Sequence, residues 1–345
     1  MKNPVKVVYA GYHIETALLL YRDKRFDVAG IGLIEEFVSC ATYNPVNALF
    51  KIIYLLRCRN QYRLLEIALL RILTLVSSCA TSFYFRYVDY LKVISESGTE
   101  ILDFNNKIKI VDFLKSKRVD ITVVNAWSIL AEEIVTAPSY GTVNVHPSKL
   151  PQYRGALPTL WSLKNGDSES AVTCFVVDNA IDTGSIVSQH PFPIGEDADW
   201  YSVEMSINRL LQETFTTDVM KYVRGEIKPT PQDMCIKSHT GKYFEYMEID
   251  WVGEHGRDIY NKINLYPFLV PEDYCYTFIN NRKIALRKAT FVRSHAGVNG
   301  TGTYYVDGCT VYVQAQSGVI ACPLFSGVRF SDSLYLLLNR NGTFG

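Results

Sequence analysis

The sequence predicts an α/β chain: a parallel sheet flanked by helices, interrupted by a helical insertion and followed by a small, mostly β C-terminal domain. Three observations carry that expectation. Residues 5–10 (VKVVYA) form a β-branched apolar run closed by Gly11, residues 15–21 have helical spacing, and 27–34 (DVAGIGLI) read as a second strand. Strand, helix and strand in so short a span open a parallel sheet, because parallel neighbours need a crossover, usually helical. The rhythm resumes at Glu100, with a helix over 107–118 and a buried strand over 120–125. Past Glu245 polar and apolar residues alternate, with turn signals at Asn280-Asn281, Gly297 to Gly302, Asp307-Gly308 and Ser317-Gly318.

The remaining elements follow in order. Residues 141–146 (GTVNVH) form a short strand stopped by Pro147, 160–164 a helix and 171–177 (AVTCFVV) another strand. Residues 200–224 have unbroken amphipathic helical periodicity, closed by Gly225. Pro229 and Pro231 mark a linker, which divides the chain into a catalytic domain over 1–230 and a C-terminal domain over 231–345. A short helix over 258–265 interrupts the β pattern of the latter, for which a barrel is one arrangement. Gly30 and Gly32 do not make a G-x-G-x-x-G fingerprint at the first turn, so a dinucleotide cofactor is not supported.

The segment from about 44 to 92 is the insertion. Its apolar positions cover more than one helical face, and its charges are mostly Lys and Arg. The window 67–85 contains Arg71 and several small polar residues, unlike the uncharged run of about 18 or more that spans a bilayer. The insertion is read as helices packed on the sheet or against a second subunit, hence a homodimer. Peripheral membrane contact through a basic amphipathic surface is the alternative.

A chain of 345 residues exceeds one compact core and suits two domains. Lys plus Arg number 35 and Asp plus Glu number 35. Gripping a nucleic-acid backbone requires a basic excess, so no nucleic-acid partner is expected. The 8 cysteines form no CxxC pair and no Cys/His zinc spacing, so reduced thiols and no metal are expected. The N-terminus runs straight into a strand pattern, giving a cytoplasmic reading.

Chemistry concentrates in residues 144–155 (NVHPSKLPQYRG) and 179–186 (NAIDTGSI). Asn144 and His146 are two apart on an extended segment and point to the same side. Pro147 leaves them at the carboxyl end of the sheet, where open α/β sheets bind ligands. Asp182 follows the next strand, in a loop able to fold back on His146. An amide, an imidazole and a carboxylate suit acyl transfer to an amine. Asn144 and His146 steady the charge that develops on the acyl oxygen, a contribution of about a hundredfold to a thousandfold. His146, oriented by Asp182, accepts the amine's proton. The amine itself attacks, so no Ser or Cys nucleophile is needed. Spacing alone leaves a merely capped, structural histidine open.

NVHPSKLPQYRG followed by DNAIDTGSI resembles the signature of the 10-formyltetrahydrofolate-dependent formyltransferases, whose pattern is NxHPSLLPxYRG with a later DxGxDTG loop. Within that family the chain looks closer to the sugar N-formyltransferases. The resemblance places Asn144, His146 and Asp182 on the family's catalytic positions and implies 10-formyltetrahydrofolate as co-substrate. It is strong over 100–190. Lys149 replaces the usual Leu and Ala180 the usual Gly; neither is a catalytic position, and Ala180 bears on the shape of the folate loop. The insertion is not part of the family core. Glu248 to Trp251, Tyr276 to Asn280 and Lys283 to Ala289 are similar to the C-terminal domain of the tRNA and sugar enzymes.

The resemblance assigns the folate to Trp127, Ser128, Ile129, Asn179 and Ile181, with Trp127 alternatively a core aromatic. Tyr12, Tyr153 and Arg154 are assigned to the acceptor. Arg154 suits a phosphate by its fixed fork of donors, or else forms a structural ion pair. The implied acceptor is a nucleotide-linked (dTDP) 3- or 4-amino-dideoxysugar for surface polysaccharide. Methionyl-tRNA is the alternative, and a non-catalytic folate-binding or scaffold protein is the reading from another class.

Overall fold

The computed structural model describes residues 3–11, 14–32, 96–104, 106–125, 129–196, 198–236, 238–240, 247–264, 275–286, 288–325, 328 and 330–344. The expected insertion over 44–92 lies outside them.

The opening apolar run is strand β1 (Val5–Gly11), in which Val7, Val8, Tyr9 and Ala10 are fully buried. It lies between β2 (Phe26–Gly32) and β4 (Ile121–Asn125) and is parallel to both. β3 (Glu100–Leu102) pairs with β2, and β5 (Thr142–His146) pairs with β4, again in parallel. After the two-residue β6 (Arg154–Gly155) come β7 (Glu169–Val176) and β8 (Ile186–Pro193). The sheet order is β3-β2-β1-β4-β5-β7-β8, and β7 runs antiparallel to β5. The expected parallel sheet is therefore parallel over five strands and mixed at one edge. Chain progression reverses between β1 and β4, so the crevice outside their carboxyl ends is the switch point where such sheets take ligands.

Helices cover the sheet as the sequence spacing requires. α1 (Ile14–Arg22) links β1 to β2, and α2 (Lys107–Ser116) links β3 to β4. Asn106 caps α2 by accepting the Lys109 N–H at 3.2 Å. Ile110, Phe113 and Leu114 form its buried stripe, clustered with Val8, Ala10, Leu102 and Ile134. Each such side chain contributes about 1.5–3 kcal/mol through burial.

The amphipathic stretch expected as one helix over 200–224 is interrupted. An α-helix (Trp200–Leu210) passes through a π-helical turn (Leu211–Phe215) into a second α-helix (Thr216–Val223). The spacing explains it. Ile207, Leu211, Phe215, Val219 and Val223 recur every four residues, and all are at most 3% exposed. On an α-helix that spacing drifts by about 40° per repeat. A π turn absorbs the excess and keeps the stripe on one face.

The structure resolves into two compact units, one comprising Met1–Gly155, Ser170–Phe192 and Met205–His239, the other Ala156–Glu169, Pro193–Glu204 and Thr240–Gly345. The stretch read as a linker belongs to the first. Thr230 exchanges both backbone hydrogen bonds with Ile186 at 2.8 Å, and Gln232 is buried. In the second unit, Met247–Glu248, Cys275–Ile279 and Arg282–Ala285 make a three-stranded sheet. Thr290–Val292, Val319–Pro323, Thr310–Gln314, Thr303–Asp307 and Asn341–Thr343, in that order, make an antiparallel sheet of five. Among the described residues the latter has two free ends, so it is an open sheet rather than a closed barrel. The predicted turns fall where expected: Asn280 and Asn281 take φ of 48° and 63° between two paired strands. The short helix is Gly256–Asn264, and Phe330–Leu338 adds one the sequence reading did not include.

Candidate functional site

Strand β5 ends at His146 because Pro147 offers no backbone donor to continue the ladder. Asn144 and His146 share a face by the two-residue period of the strand. Across from them on β7 stand Phe175 and Thr173, and Phe175 meets the His146 ring edge-on at 6.5 Å between centroids. His146 is 5% exposed.

The loop after β7 brings Asp182 to this face. Asn144 Nδ2 donates to Asp182 Oδ1 at 3.5 Å, and His146 Nδ1 lies 3.6 Å from Asp182 Oδ2. The Gly155 N–H donates to that same Oδ2 at 2.7 Å. The carboxylate is thus held by a backbone amide, with the Asn144 amide at the long limit of hydrogen bonding and the His146 ring nitrogen just beyond it. In enzymes, catalytic hydrogen bonds are often long without a ligand and shorten once it binds.

The other side of the imidazole fixes its tautomer. His146 Nε2 is 2.8 Å from the Tyr153 carbonyl oxygen. A carbonyl only accepts, so Nε2 carries the hydrogen and Nδ1 faces Asp182. Asn144 Oδ1 is buried and has no hydrogen-bond partner among the described residues. An orphan acceptor of this kind costs about 1–3 kcal/mol, which a ligand N–H at that point recovers.

Local sequence explains both loops. Asp178 Oδ1 accepts from the Ala180 N–H at 3.2 Å and the Thr183 hydroxyl at 2.7 Å, closing a turn that turns Asn179 and Ile181 outward. Asp182 then adopts φ of 53°, a left-handed conformation that Asp tolerates better than most residues. In the loop after β5, the Ser148 hydroxyl donates to Gln152 O at 2.7 Å and Thr173 donates to Ser148 O at 2.6 Å. Gln189 adds a bond to Leu150 O at 2.9 Å. Cys174 on β7 is buried, and burial pushes its thiol well above the ordinary range, so it is no nucleophile.

The structure brings Asn144, His146 and Asp182 together, with Tyr153 contributing its main-chain carbonyl. Ile129 is 80% exposed and Ile181 is 45% exposed, and Asn179 is exposed. Tyr12, Trp127 and Ser128 lie outside the described residues. Arg154 departs from the phosphate role. It is 1% exposed, and its guanidinium donates to Gln232 Oε1 at 2.9 and 3.1 Å, Ile236 O at 3.0 Å and Asp233 O at 3.3 Å. A phosphate would have to displace those bonds to an amide and two carbonyls, which favours a buttressing role for Arg154 over a phosphate contact. Gln232 and Ser238 were not anticipated. Their only local signal is the pair of prolines before them, which equally marks a free linker. Among the described residues no group of three or more His, Cys, Asp or Glu is placed to hold a metal. No described helix is long and apolar enough to cross a membrane.

Comparison with known proteins places this geometry in context. Residues 92–218 match the family described as Formyl transferase. A methionyl-tRNA formyltransferase from Caldanaerobacter subterraneus subsp. tengcongensis is 31% identical over 217 residues, covering 60% of this chain and 67% of that protein. The chain spans between 51% and 67% of the length of the first curated relatives it matches. Among solved structures, WlaRD, a sugar 3N-formyl transferase studied with dTDP and 5-N-formyl-THF, aligns with a TM-score of 0.56 at 16% identity. That alignment covers 93% of this chain and 98% of WlaRD. An N-formyltransferase from Helicobacter canadensis, in complex with folinic acid and dTDP-3-aminofucose, aligns with a TM-score of 0.56 at 14% identity, covering 93% and 99%. At such identities the likeness is one of fold.

Proposed function

The chain belongs to the formyltransferase family, and from that premise we propose that it transfers the formyl group of 10-formyltetrahydrofolate to the amine of a nucleotide-linked, dTDP-type 3- or 4-amino-dideoxysugar. The observation that carries this reading is the Asn144, His146 and Asp182 group at the carboxyl end of β5, with the unpartnered Asn144 Oδ1 buried in it. An orphan acceptor beside two outward-facing loops fits a ligand that brings an N–H and an apolar body.

When bound, the formyl folate supplies an activated formyl carbon. The chain's own residues do the rest. Asn144 has a second Nδ2 hydrogen for the formyl oxygen and an Oδ1 that orients the incoming amine. The proton leaving that amine is received on the His146 Nδ1 side, between imidazole and carboxylate. Ile129, Asn179 and Ile181, with Trp127 and Ser128, are assigned to the folate, and Tyr12 and Tyr153 to the acceptor. We assign the product to surface polysaccharide and the enzyme to the cytoplasm as a homodimer.

Two facts favour a sugar acceptor: the equal numbers of acidic and basic residues, 35 each, and fold likeness to sugar enzymes across 93% of the chain. A polyanionic tRNA calls for a basic surface. The second reading, formylation of methionyl-tRNA, is favoured by the name that the sequence relatives carry.

The test is turnover with 10-formyltetrahydrofolate and a panel of nucleotide-linked 3- and 4-amino-dideoxysugars, followed by mass spectrometry of the acceptor and release of free folate. One sugar gaining a formyl group supports the reading. Transfer to methionyl-tRNA alone replaces it with the second. Silence on both panels overturns catalysis and leaves a folate-binding or scaffold protein.

A further inference from the structure

We infer that Gln232 is a positioning residue for Asp182, and that residues 232–236 together with Ser238 are a third part of the catalytic platform beside the loops after β5 and β7. The inference rests on the catalytic reading of Asp182 given above.

Gln232 is 8% exposed and makes four hydrogen bonds, the full capacity of its oxygen's two lone pairs and its two N–H groups. Its Oε1 accepts from Arg154 Nε at 3.1 Å and Nη2 at 2.9 Å. Its Nε2 donates to Asp182 O at 2.9 Å and Gly184 O at 2.8 Å. Those two carbonyls belong to the turn running from Asp182 to Gly184, and Asp182 itself is in the left-handed region, with φ of 53°. In most folds a neighbouring strand satisfies such carbonyls; here a side chain 50 positions away does so. Since a carbonyl's direction fixes its peptide plane, the Gln232 amide sets the bearing from which the Asp182 side chain leaves the backbone.

The same segment grips the imidazole's support. Ser238 Oγ accepts the Tyr153 N–H at 2.7 Å and Ser238 O accepts the Arg154 N–H at 2.8 Å. The Tyr153 carbonyl in turn holds His146 Nε2 at 2.8 Å. Arg154 also ties in Ile236 O at 3.0 Å. One segment therefore controls both halves of the His146 and Asp182 pair, whose 3.6 Å separation is sensitive to small shifts in either loop. A misplacement of about 1 Å at a reacting centre is enough to lose about a hundredfold in rate.

The decisive variant is Gln232→Glu, which keeps an acceptor for Arg154 and removes both N–H donors. With 10-formyltetrahydrofolate and the accepted sugar, kcat falls about 10- to 100-fold while both KM values stay within about threefold. In an Asp182→Asn background the same substitution costs less than about twofold, because a residue that acts through Asp182 has nothing left to position. In the unliganded protein, the His146 ring nitrogen resonances move in Gln232→Glu as they do in Asp182→Asn. Full activity of Gln232→Glu, unmoved His146 resonances, or an equal rate loss in the Asp182→Asn background each overturns the inference. If Gln232→Glu does not fold, Ser238→Ala carries the test, since it removes only the acceptor of the Tyr153 N–H and must move the same resonances. An active Asp182→Asn enzyme would defeat the catalytic reading instead, with the resonance shifts still deciding Gln232.

Discussion

Replacing Gly184 with alanine tests whether the Asp182 loop is placed by hard contact. An added Cβ would lie 1.6 Å from the Val176 carbonyl oxygen, 2.8 Å from its carbon and 3.3 Å from Phe175 Cδ2. A carbon approaches a carbonyl oxygen no closer than roughly 3.3 Å, so one segment must retreat by well over about 1 Å. Neither can do so freely. Val176 N–H donates to Ser185 O at 2.9 Å, and Gly184 O accepts from Gln232 at 2.8 Å. Overpacking costs about 1–3 kcal/mol and each broken hydrogen bond about 1 kcal/mol, giving roughly 3–5 kcal/mol in all. At about 2–4 °C per kcal/mol the melting temperature drops by roughly 6–20 °C. Asp182 is two residues away, so kcat falls by about a hundredfold even where the protein remains folded. Gly195→Ala is the control, because nothing lies within 4 Å of its added Cβ. The assay pairs thermal melting with single-turnover formyl transfer. A Gly184→Ala enzyme that melts within about 2 °C of the parent and turns over within about threefold would refute the argument.

Three further substitutions separate the roles assigned above. His146→Ala should lower kcat by about 10²–10⁴-fold and still give a cooperative melt; retention of more than about a tenth of the rate would exclude His146 from proton transfer. Arg154→Lys should lower the melting temperature and kcat while leaving the acceptor KM within about threefold, because an ammonium cannot span Gln232 Oε1 and two carbonyls as the planar fork does. A large rise in acceptor KM with an unchanged melt would return Arg154 to the phosphate. Burial pushes the Glu204 carboxyl up from 4.5 to about 7, although it accepts from the Thr159 hydroxyl. The folded chain then holds a proton that the unfolded chain releases, so this group's contribution is intact below pH 4.5 and is lost as pH rises through about 7, by up to about 3 kcal/mol. Glu204→Gln should therefore melt above the parent at pH 8 and with it at pH 4, and an equal gap at both values would sink the assignment.

What could be read from the sequence depended on how far away the cause of each feature lies. β1, β2, β4, β5 and β7 announce themselves through β-branched apolar runs, because burial on both faces of a sheet removes the need for polar alternation. β8 was missed for the converse reason: Ile186–Pro193 is buried at only two positions and carries two prolines, so it resembles a loop until β7 supplies its partner. The π turn was legible in principle, since a strict four-residue apolar repeat conflicts with 3.6 residues per turn and something must absorb the mismatch. The site divides along the same line. Asn144 and His146 are placed by the period of one strand and a following proline, both local. Asp182 was readable only as a residue able to fold back, because its bearing comes from Gly155, Gly184 and Gln232, which sequence spacing does not connect. Arg154 shows the limit most clearly. An arginine beside the strand that ends at His146 offers the same fork to a phosphate or to its own chain, and only the arrival of Gln232 and the Ile236 carbonyl favours the second. The residues proposed to do chemistry were thus visible from short-range pattern, while those proposed to aim them became visible only once the chain had closed on itself.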